Sequence, residues 1–251
     1  MKEIDLNCDM GEIEGVDEQI MPLISSANIA CGGHAGDDAT MHNAVSLAIR
    51  YGVSIGAHPS YCDRQNFGRV EIDLAPAEVR QIVIEQIERL KRICNLLGTF
   101  VSHVKPHGAL YNRAAAHRPT ACAIAEAVCA VDPSLVVFGL AGSEAIRVAA
   151  ELGLHTAAEV FADRNYLHDG TLMPRTAPNA VITDPSHAAQ RIIQLIETGT
   201  IEAIDGTQLH LPAETICLHG DSPSAVEMAK TIRQRLNESK FALLAVARPR
   251  F

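Results

Sequence analysis

The sequence predicts an α/β fold built on a parallel sheet, either an open doubly wound sheet or a closed barrel. Two observations support this prediction. Short apolar or alternating runs recur along the chain with helical stretches between them, and such alternation is typical of parallel sheets. Ionisable residues are concentrated near the carboxyl ends of these runs, where parallel α/β folds place their active sites.

Seven segments are predicted as strands from their apolar or alternating character. They are 3–9, 26–32, 53–58, 100–106, 135–141, 156–162 and 214–219.

The helices are predicted from apolar periodicity and from their end signals. After the second strand, apolar residues recur at helical spacing from Met41, behind Asp37 or Asp38 as the cap. Another helix begins near Pro76 and ends at Gly98. Further helices are predicted over 119–131, 143–152, 185–198 and 222–238, and a long loop over 163–184.

Length and composition describe an ordinary globular protein. The chain has 251 residues, of which 47% are hydrophobic and 20% charged, and its formal net charge is −9. No linker or repeat divides it, so we expect a single domain over residues 1–251. An acidic chain without a basic run is a poor partner for nucleic acid. The lack of a signal-peptide pattern or a membrane-spanning apolar segment predicts a cytoplasmic protein without membrane association.

The cysteines predict free thiols. There are seven, scattered along the chain and without a C-x-x-C pair, so reduced, buried thiols are expected. A zinc-thiolate site would require distant cysteines to converge.

The stretch "NIACGGHAGDD", residues 28–38, contains three glycines around His34 and Asp37. Glycine is favoured where a backbone must adopt positive φ or let another group approach closely. The stretch therefore suggests a strand end shaped for a bound molecule. The alternative is a tight turn in which Asp37 caps the next helix.

Polar side chains recur at alternate positions on several predicted strands, although a sheet covered on both faces should be almost entirely apolar there. Their convergence would supply metal ligands or acid–base groups, whereas each residue taken alone is more often structural. Lys105, between Val104 and Pro106, must lie near an anion or lose its charge. The residues are Asp5, Asn7, Asp9, Asn28, Ser54, His58, His103, Lys105, His107, Glu159, Asp163, Cys217, His219 and Asp221, and His34 belongs to the same converging set.

Three common motifs are missing. The chain has no G-x-x-x-x-G-K-[ST] phosphate loop, no G-x-G-x-x-G after a strand and no G-x-S-x-G elbow. Their absence disfavours a P-loop ATP site, a dinucleotide cofactor and a serine hydrolase.

Eight motifs spread over nearly the whole chain resemble those of the LamB/YcsF family, the A subunits of bacterial 5-oxoprolinases. They are "DLNCDMGE" (5–12), "NIACGGHAGD" (28–37), "GAHPSY" (56–61), "FGR" (67–69), "VKPHGALYN" (104–112), "EVFADRNY" (159–166), "DGTLMPR" (169–175) and "LHGD" (218–221).

The resemblance implies a parallel (β/α) barrel of about seven strands, related to the glycoside hydrolase/deacetylase barrels. It also implies participation, with partner subunits B and C, in the ATP-dependent opening of 5-oxo-L-proline to L-glutamate. ATP would then be bound by or with those partners, in agreement with the missing phosphate loop.

On this hypothesis Asp9 is the general base, His107 or His58 is the acid toward the ring nitrogen, and Lys105 stabilises developing negative charge. Glu159 completes the predicted catalytic set. Four arginines are candidates for binding the substrate carboxylate: Arg64, Arg69, Arg164 and Arg175. The other predicted substrate-binding residues are Asn7, Asn28, His34, Asp37, Asp163, His219 and Asp221.

Two other functions stay open. One is a metal-dependent deacetylase or hydrolase that acts alone, with Asp9, His34 and His58 holding a divalent ion. The other is a non-catalytic subunit that delivers 5-oxoproline to its partners.

Overall fold

A closed barrel of seven parallel strands forms the centre of the computed structural model, which describes residues 2–247. The strands β1 to β6 and β9 follow one another around it, and β1 closes the sheet by pairing with both β2 and β9. The structure thus confirms the parallel barrel and excludes the open sheet. In chain order the strands are β1 (Lys2–Met10), β2 (Ser26–Ala30), β3 (Ser54–His58), β4 (His103–Val104), β5 (Val136–Leu140), β6 (Thr156–Phe161), β7 (Thr200–Glu202), β8 (Gln208–His210), β9 (Thr215–Leu218) and β10 (Phe241–Leu243).

Helices follow most of the barrel strands and bury their apolar faces against the sheet. The predicted helices are all present, and the loop predicted over 163–184 is a loop with only isolated bridges. The helices are α1 (Asp17–Ile20), α2 (Asp38–Tyr51), α3 (Pro76–Leu96), α4 (Gly108–Ala116), α5 (Arg118–Val131), α6 (Glu144–Glu151), α7 (Pro185–Thr198) and α8 (Ala225–Glu238).

The start of α2 shows how the sequence sets a helix boundary. The Asp37 carboxylate accepts from the Thr40 backbone N–H at 2.9 Å, and the Thr40 hydroxyl accepts from the Asp37 N–H at 2.7 Å. This reciprocal capping box satisfies two backbone donors that a helix start otherwise leaves unpaired. Asp37 is therefore the helix cap, as the simpler sequence interpretation proposed.

Some short elements were not predicted. These are α1, α4, the antiparallel β7–β8 hairpin, and β10, which pairs with the beginning of β1. A strand of three residues contains less than two periods of alternation, so periodicity gives no signal for it. β4 is shorter than predicted, with only His103 and Val104 in regular pairing. Beyond it, Pro106 has no N–H to continue the ladder.

The strand register brings the carboxyl ends of β1, β2 and β3 to the same end of the barrel. Asp9 is paired with Asn28, and Ala30 with His58. The polar residues predicted from strand parity therefore collect at one mouth of the barrel.

Two further observations bear on the sequence predictions. No helix within residues 2–247 is long and apolar enough to cross a membrane. All seven cysteines are free thiols, four of them buried.

Candidate active site

A cleft of about 300 Å³ opens at the carboxyl ends of the barrel strands. This volume is at the small end of the range for ligand pockets. Among the predicted residues, those lining the cleft are Asp9, His58, Arg69, Lys105, His107, Arg164, Arg175 and His219.

Lys105 lies at the floor of the cleft between two carboxylates. Its ammonium group is 3.0 Å from Asp9 Oδ1 and 2.9 Å from Glu159 Oε1. It also donates to Asn7 Oδ1 at 3.1 Å and to Cys217 Sγ at 3.0 Å. An ammonium has three protons, so these four acceptors leave none free for a bound molecule.

Amide side chains below the floor fix this ion pair. Asn28 Nδ2 donates to both Asn7 Oδ1 and Asp9 Oδ1, and Asn7 Nδ2 donates to Glu159. His103 Nε2 bonds Asn28 Oδ1 at 2.9 Å. Only a glycine fits beneath this imidazole, because a Cβ on Gly56 would lie 2.0 Å from His103 Nε2.

Both members of the Lys105–Asp9 pair are held in their charged forms. Burial alone would raise the pKa of Asp9, but the charges of His58 and Lys105 outweigh it and hold this pKa well below the ordinary value. Burial alone would lower the pKa of Lys105, but the surrounding negative charges raise it well above the ordinary value. The floor of the cleft therefore keeps fixed charges near neutral pH.

Three histidines and one glutamate meet beside Asp9. His58 Nε2 is 2.9 Å from His107 Nδ1 and 3.3 Å from Asp9 Oδ2. Glu12 Oε1 is 2.6 Å from His34 Nε2 and 3.2 Å from His107 Nδ1. The His34 and His107 rings stack with their centroids 3.7 Å apart. We call Glu12, His34, His58 and His107 the histidine cluster.

Neighbouring segments hold the cluster in place. The Phe67 carbonyl contacts His107 Nε2 at 2.9 Å, and Phe67 has a φ of 54°, a strained value for an aromatic residue. Ser60 Oγ contacts His34 Nδ1 at 2.9 Å. The glycine-rich stretch permits this contact, since a Cβ on Gly33 would lie 2.6 Å from Ser60 Oγ.

A third histidine, His219, faces the cleft just after the end of β9. His219 Nδ1 is 2.8 Å from the Asp163 carboxylate, whereas its Nε2 has no hydrogen-bond partner in the described chain. Burial alone would raise the pKa of Asp163, but the charge of His219 holds it below the ordinary value. Ligand atoms of Asp9, Cys217 and His219 lie within 4.8 Å of one another, so His219 and Asp9 flank the same point.

The four predicted arginines have different roles. Arg69 and Arg175 line the cleft and both donate to Asp221. Arg164 also lines it and donates through Nη2 to the Met173 carbonyl, while its buried Nε lacks a partner within residues 2–247. Arg64 lies outside the cleft, where it donates to the carbonyls of Gly32 and Gly36.

Several other predicted residues do not line the cleft, and all of these except Asp37 support it from behind. Glu159 is fully buried beneath Lys105, and Asp37 is exposed at the start of α2. The remaining supporting residues are Asn7, Asn28, His34, Asp163 and Asp221.

The sequence reasoning missed several polar residues of the site, among them Glu12 and Tyr111. Glu12 belongs to the histidine cluster, and Tyr111 lines the cleft with a buried hydroxyl that interacts with Glu159. Burial, together with the charge of Glu159, raises the pKa of Tyr111 well above its ordinary value. Glu12 follows β1 and Tyr111 lies in the unpredicted helix α4, so strand parity could find neither, although both belong to quoted motifs.

Comparisons with known proteins match this chain over nearly its whole length. The model of the LamB/YcsF family matches residues 4–250. The A subunit of 5-oxoprolinase from Syntrophobacter fumaroxidans is 47% identical over 247 residues, which cover 96% of this chain and 98% of that protein. A lactam utilization protein from Thermus thermophilus has a similar crystal structure, with a TM-score of 0.91 and 42% identity over 97% of this chain and 99% of that one.

A more distant similarity concerns the fold alone. Peptidoglycan deacetylase PdaC from Bacillus subtilis superimposes with a TM-score of 0.50 at 12% identity, covering 98% of this chain and 88% of that one.

Proposed function

The chain belongs to the LamB/YcsF family, and from this membership we propose that it is the A subunit of an ATP-dependent 5-oxoprolinase. Together with B and C subunits, it would open the lactam ring of 5-oxo-L-proline to give L-glutamate. The observation that carries the proposal is a small cleft where an arginine with a free donor accompanies a fixed carboxylate and a histidine. These groups suit a cyclic amide that carries a carboxylate: the arginine can bind the substrate carboxylate, and the carboxylate and histidine can transfer protons.

Arg164 is the proposed ligand of the substrate carboxylate. A buried N–H without an acceptor is costly, and Arg164, which lines the cleft, has such a donor in its Nε. Arg69 and Arg175 already pair with Asp221, so they would contribute positive charge and stabilise this side of the cleft. Arg64 lies too far outside to take part.

Asp9 is the proposed base that accepts a proton from the attacking water. The proposed acid is His219, because its Nδ1 is held by Asp163 and its Nε2 has no partner among the described residues. The inner nitrogens of His58 and His107 instead contact each other. We therefore assign the proton donation to the ring nitrogen to His219 rather than to those two histidines.

Lys105 acts through its charge. Its protons are all used by protein acceptors, so it would hold Asp9 ionised and offset negative charge that develops in the cleft. Glu159 positions Lys105 and does not itself meet the substrate.

ATP coupling is assigned to the partners. The chain has no phosphate loop, and an unstrained lactam needs activation before water can attack its carbonyl carbon. Activation next to the cleft would protect a phosphorylated intermediate from wasteful hydrolysis. A cytoplasmic location, where ATP is available, fits this proposal.

The test is a reconstitution with purified A, B and C subunits, each omitted in turn, in which phosphate and glutamate are measured separately. We expect glutamate only with all three subunits and neither product from this chain alone. Glutamate from this chain alone would favour an autonomous hydrolase. Full activity of an Asp9→Asn/His219→Gln variant, with unchanged assembly, would favour a delivery subunit.

A further inference from the structure

The histidine cluster has a geometry that the proposed reaction does not explain. Glu12, His34, His58 and His107 each offer one ligand atom, and these atoms all lie within 4.8 Å of one another. They come from four segments, at or just after the ends of β1, β2, β3 and β4. All four side chains are at most 7% exposed.

Hydrogen bonds on the outer side fix the tautomers of two of these histidines. His58 Nδ1 lies 2.7 Å from the Lys105 carbonyl, and His107 Nε2 lies 2.9 Å from the Phe67 carbonyl. A carbonyl only accepts, so each of these nitrogens carries a proton. In the neutral rings the inner atoms, His58 Nε2 and His107 Nδ1, therefore present lone pairs, although they are 2.9 Å apart.

The same reasoning applies to His34. Ser60 donates its only hydroxyl proton to the Tyr61 carbonyl at 2.9 Å, so Ser60 Oγ accepts from His34 Nδ1. The inner Nε2 of His34 then presents its lone pair to the Glu12 carboxylate, 2.6 Å away. Four electron-rich atoms thus face one another.

Such an arrangement requires positive charge at its centre. A single added proton can be shared by only two of these atoms, so it would leave the other two facing each other. A metal ion satisfies all four atoms at once, and outer hydrogen bonds of this kind are what orient histidine ligands in metal sites.

We propose that Glu12, His34, His58 and His107 bind one divalent transition-metal ion of the zinc class. Three imidazole nitrogens and one carboxylate oxygen suit zinc, whereas magnesium and calcium prefer oxygen ligands. His58 and His107 also line the cleft, so the ion would face the bound substrate. There it would polarise a carbonyl oxygen or acidify a water molecule.

This ligand set differs from the one suggested by the sequence, Asp9 with His34 and His58. Asp9 Oδ1 is already bound by Lys105 and Asn28, and a fixed ammonium beside it opposes a second cation. Asp9 Oδ2 lies 3.3 Å from His58 Nε2, which places it beside the proposed ion rather than among its four ligands.

Metal binding can be measured on the untagged full-length chain without ATP, partners or 5-oxoproline, so its outcome is separate from that of the proposed function. After treatment with a chelator, the protein is titrated with Zn²⁺ against a chromophoric competitor, and bound zinc is counted by elemental analysis. We expect one Zn²⁺ per chain. Loss of a residue that only hydrogen-bonds to a metal ligand weakens metal binding about 10- to 100-fold. Glu12 and His34 are proposed as ligands themselves, so Glu12→Gln and His34→Gln should each weaken Zn²⁺ binding at least 100-fold.

Two matched controls are available on the surface. Glu14→Gln and His42→Gln change exposed residues near the ligands in sequence, and both should bind Zn²⁺ like the wild type. Circular dichroism establishes that each variant is folded. If a ligand variant does not fold, Co²⁺ bound to the wild type provides the second readout, an intense visible absorption from a four-coordinate site.

Three results would overturn the proposal. The first is a wild type that binds no Zn²⁺, and the second is binding that is unchanged in both ligand variants. The third is a thiolate-to-cobalt charge-transfer band, which would place Cys217 among the ligands and move the ion to the Asp9, Cys217 and His219 group.

Discussion

Lys105 carries one positive charge into the barrel between the carboxylates of Asp9 and Glu159. The sequence left two alternatives for this lysine, a nearby anion or loss of its charge, and the structure places two carboxylates beside it. Removing one partner of a buried ion pair leaves an uncompensated charge and typically costs 3–5 kcal/mol. This contact therefore governs stability as well as chemistry.

We predict that Lys105→Met lowers the free energy of unfolding by about 3–5 kcal/mol, measured by urea denaturation. Lys105→Met/Glu159→Gln should recover part of this loss, because it removes one of the stranded charges. Lys230→Met, on the surface of α8, is the control. A single variant as stable as the wild type would mean that Lys105 is not needed to neutralise these carboxylates.

Arg164 should control substrate affinity. We predict that Arg164→Gln raises KM for 5-oxoproline about 10- to 100-fold, the range for losing a charge-assisted hydrogen bond, with a smaller change in kcat. The measurement is steady-state kinetics of the reconstituted enzyme, with Arg92→Gln on the exposed surface as the control. An unchanged KM would exclude Arg164 as the carboxylate ligand.

Asp5 provides a pH-dependent contribution to stability. Burial raises the pKa of Asp5 from 3.8 to about 6, so the folded chain keeps this proton at pH values where the unfolded chain has released it. Stability from this group is therefore full below about pH 4 and is lost as the pH rises through about 6. The difference between these two pKa values corresponds to roughly 3 kcal/mol in the free energy of unfolding.

Asp5→Asn should remove this dependence. As the pH rises from 4 to about 6.5, we predict that the free energy of unfolding of the variant increases by up to roughly 3 kcal/mol relative to that of the wild type. Denaturation at each pH measures this change. An offset that is equal at every pH would report only altered hydrogen bonds to Ser25, Ser26 and Thr215. Glu14→Gln, an exposed carboxyl replacement, should follow the wild type.

At the level of elements, the barrel separates supporting positions from those that face the cleft. Alternation within β1 directs Asn7 and Asp9 to the same side, but Asn7 lies below the floor and only Asp9 reaches the cleft. Loops beyond the strand ends add residues that follow no periodicity, such as Glu12. The site is therefore a joint product of strand parity and loop conformation.

The capping box of α2 gives a prediction at this scale. Asp37→Ala should lower the melting temperature by about 2–4 °C, the usual effect of losing a helix cap in a chain of this size, while turnover per folded molecule stays unchanged. Asn43→Ala, exposed on the same helix, is the control. A large loss of turnover without a change in stability would return Asp37 to the substrate-binding set.

For the whole molecule, closure of the sheet is the dominant feature. β1 pairs with neighbours on both sides, and buried apolar residues from all around the barrel form one connected core. Opening any one strand pair exposes part of that shared core, so the barrel should resist partial unfolding.

The single domain over residues 1–251 stays a prediction, and cooperativity tests it. We expect thermal unfolding measured by far-ultraviolet circular dichroism and by the near-ultraviolet tyrosine signal to coincide, because Tyr61, Tyr111 and Tyr166 are buried in the common core. Two separated transitions would indicate two domains.

Local patterns determined much of this protein. The β-then-α alternation predicted the parallel sheet, strand parity predicted that Asp9, His58 and Lys105 would share one end, and the quoted motifs identified the family and its barrel. These features depend on the period of a strand or helix and on motifs continuous in sequence, which a single chain displays directly.

The tertiary structure alone decided which of these residues meet and in what state. In the folded chain Lys105 pairs with residues far away in sequence. Asp37 and Arg64 lie outside the cleft, and Glu12 lies next to His34, His58 and His107. Parity fixes the side of a strand on which a residue lies, but its depth, its partners across the barrel and its tautomer depend on register, closure and loop conformation. Those are properties of the closed sheet, and no local pattern encodes them.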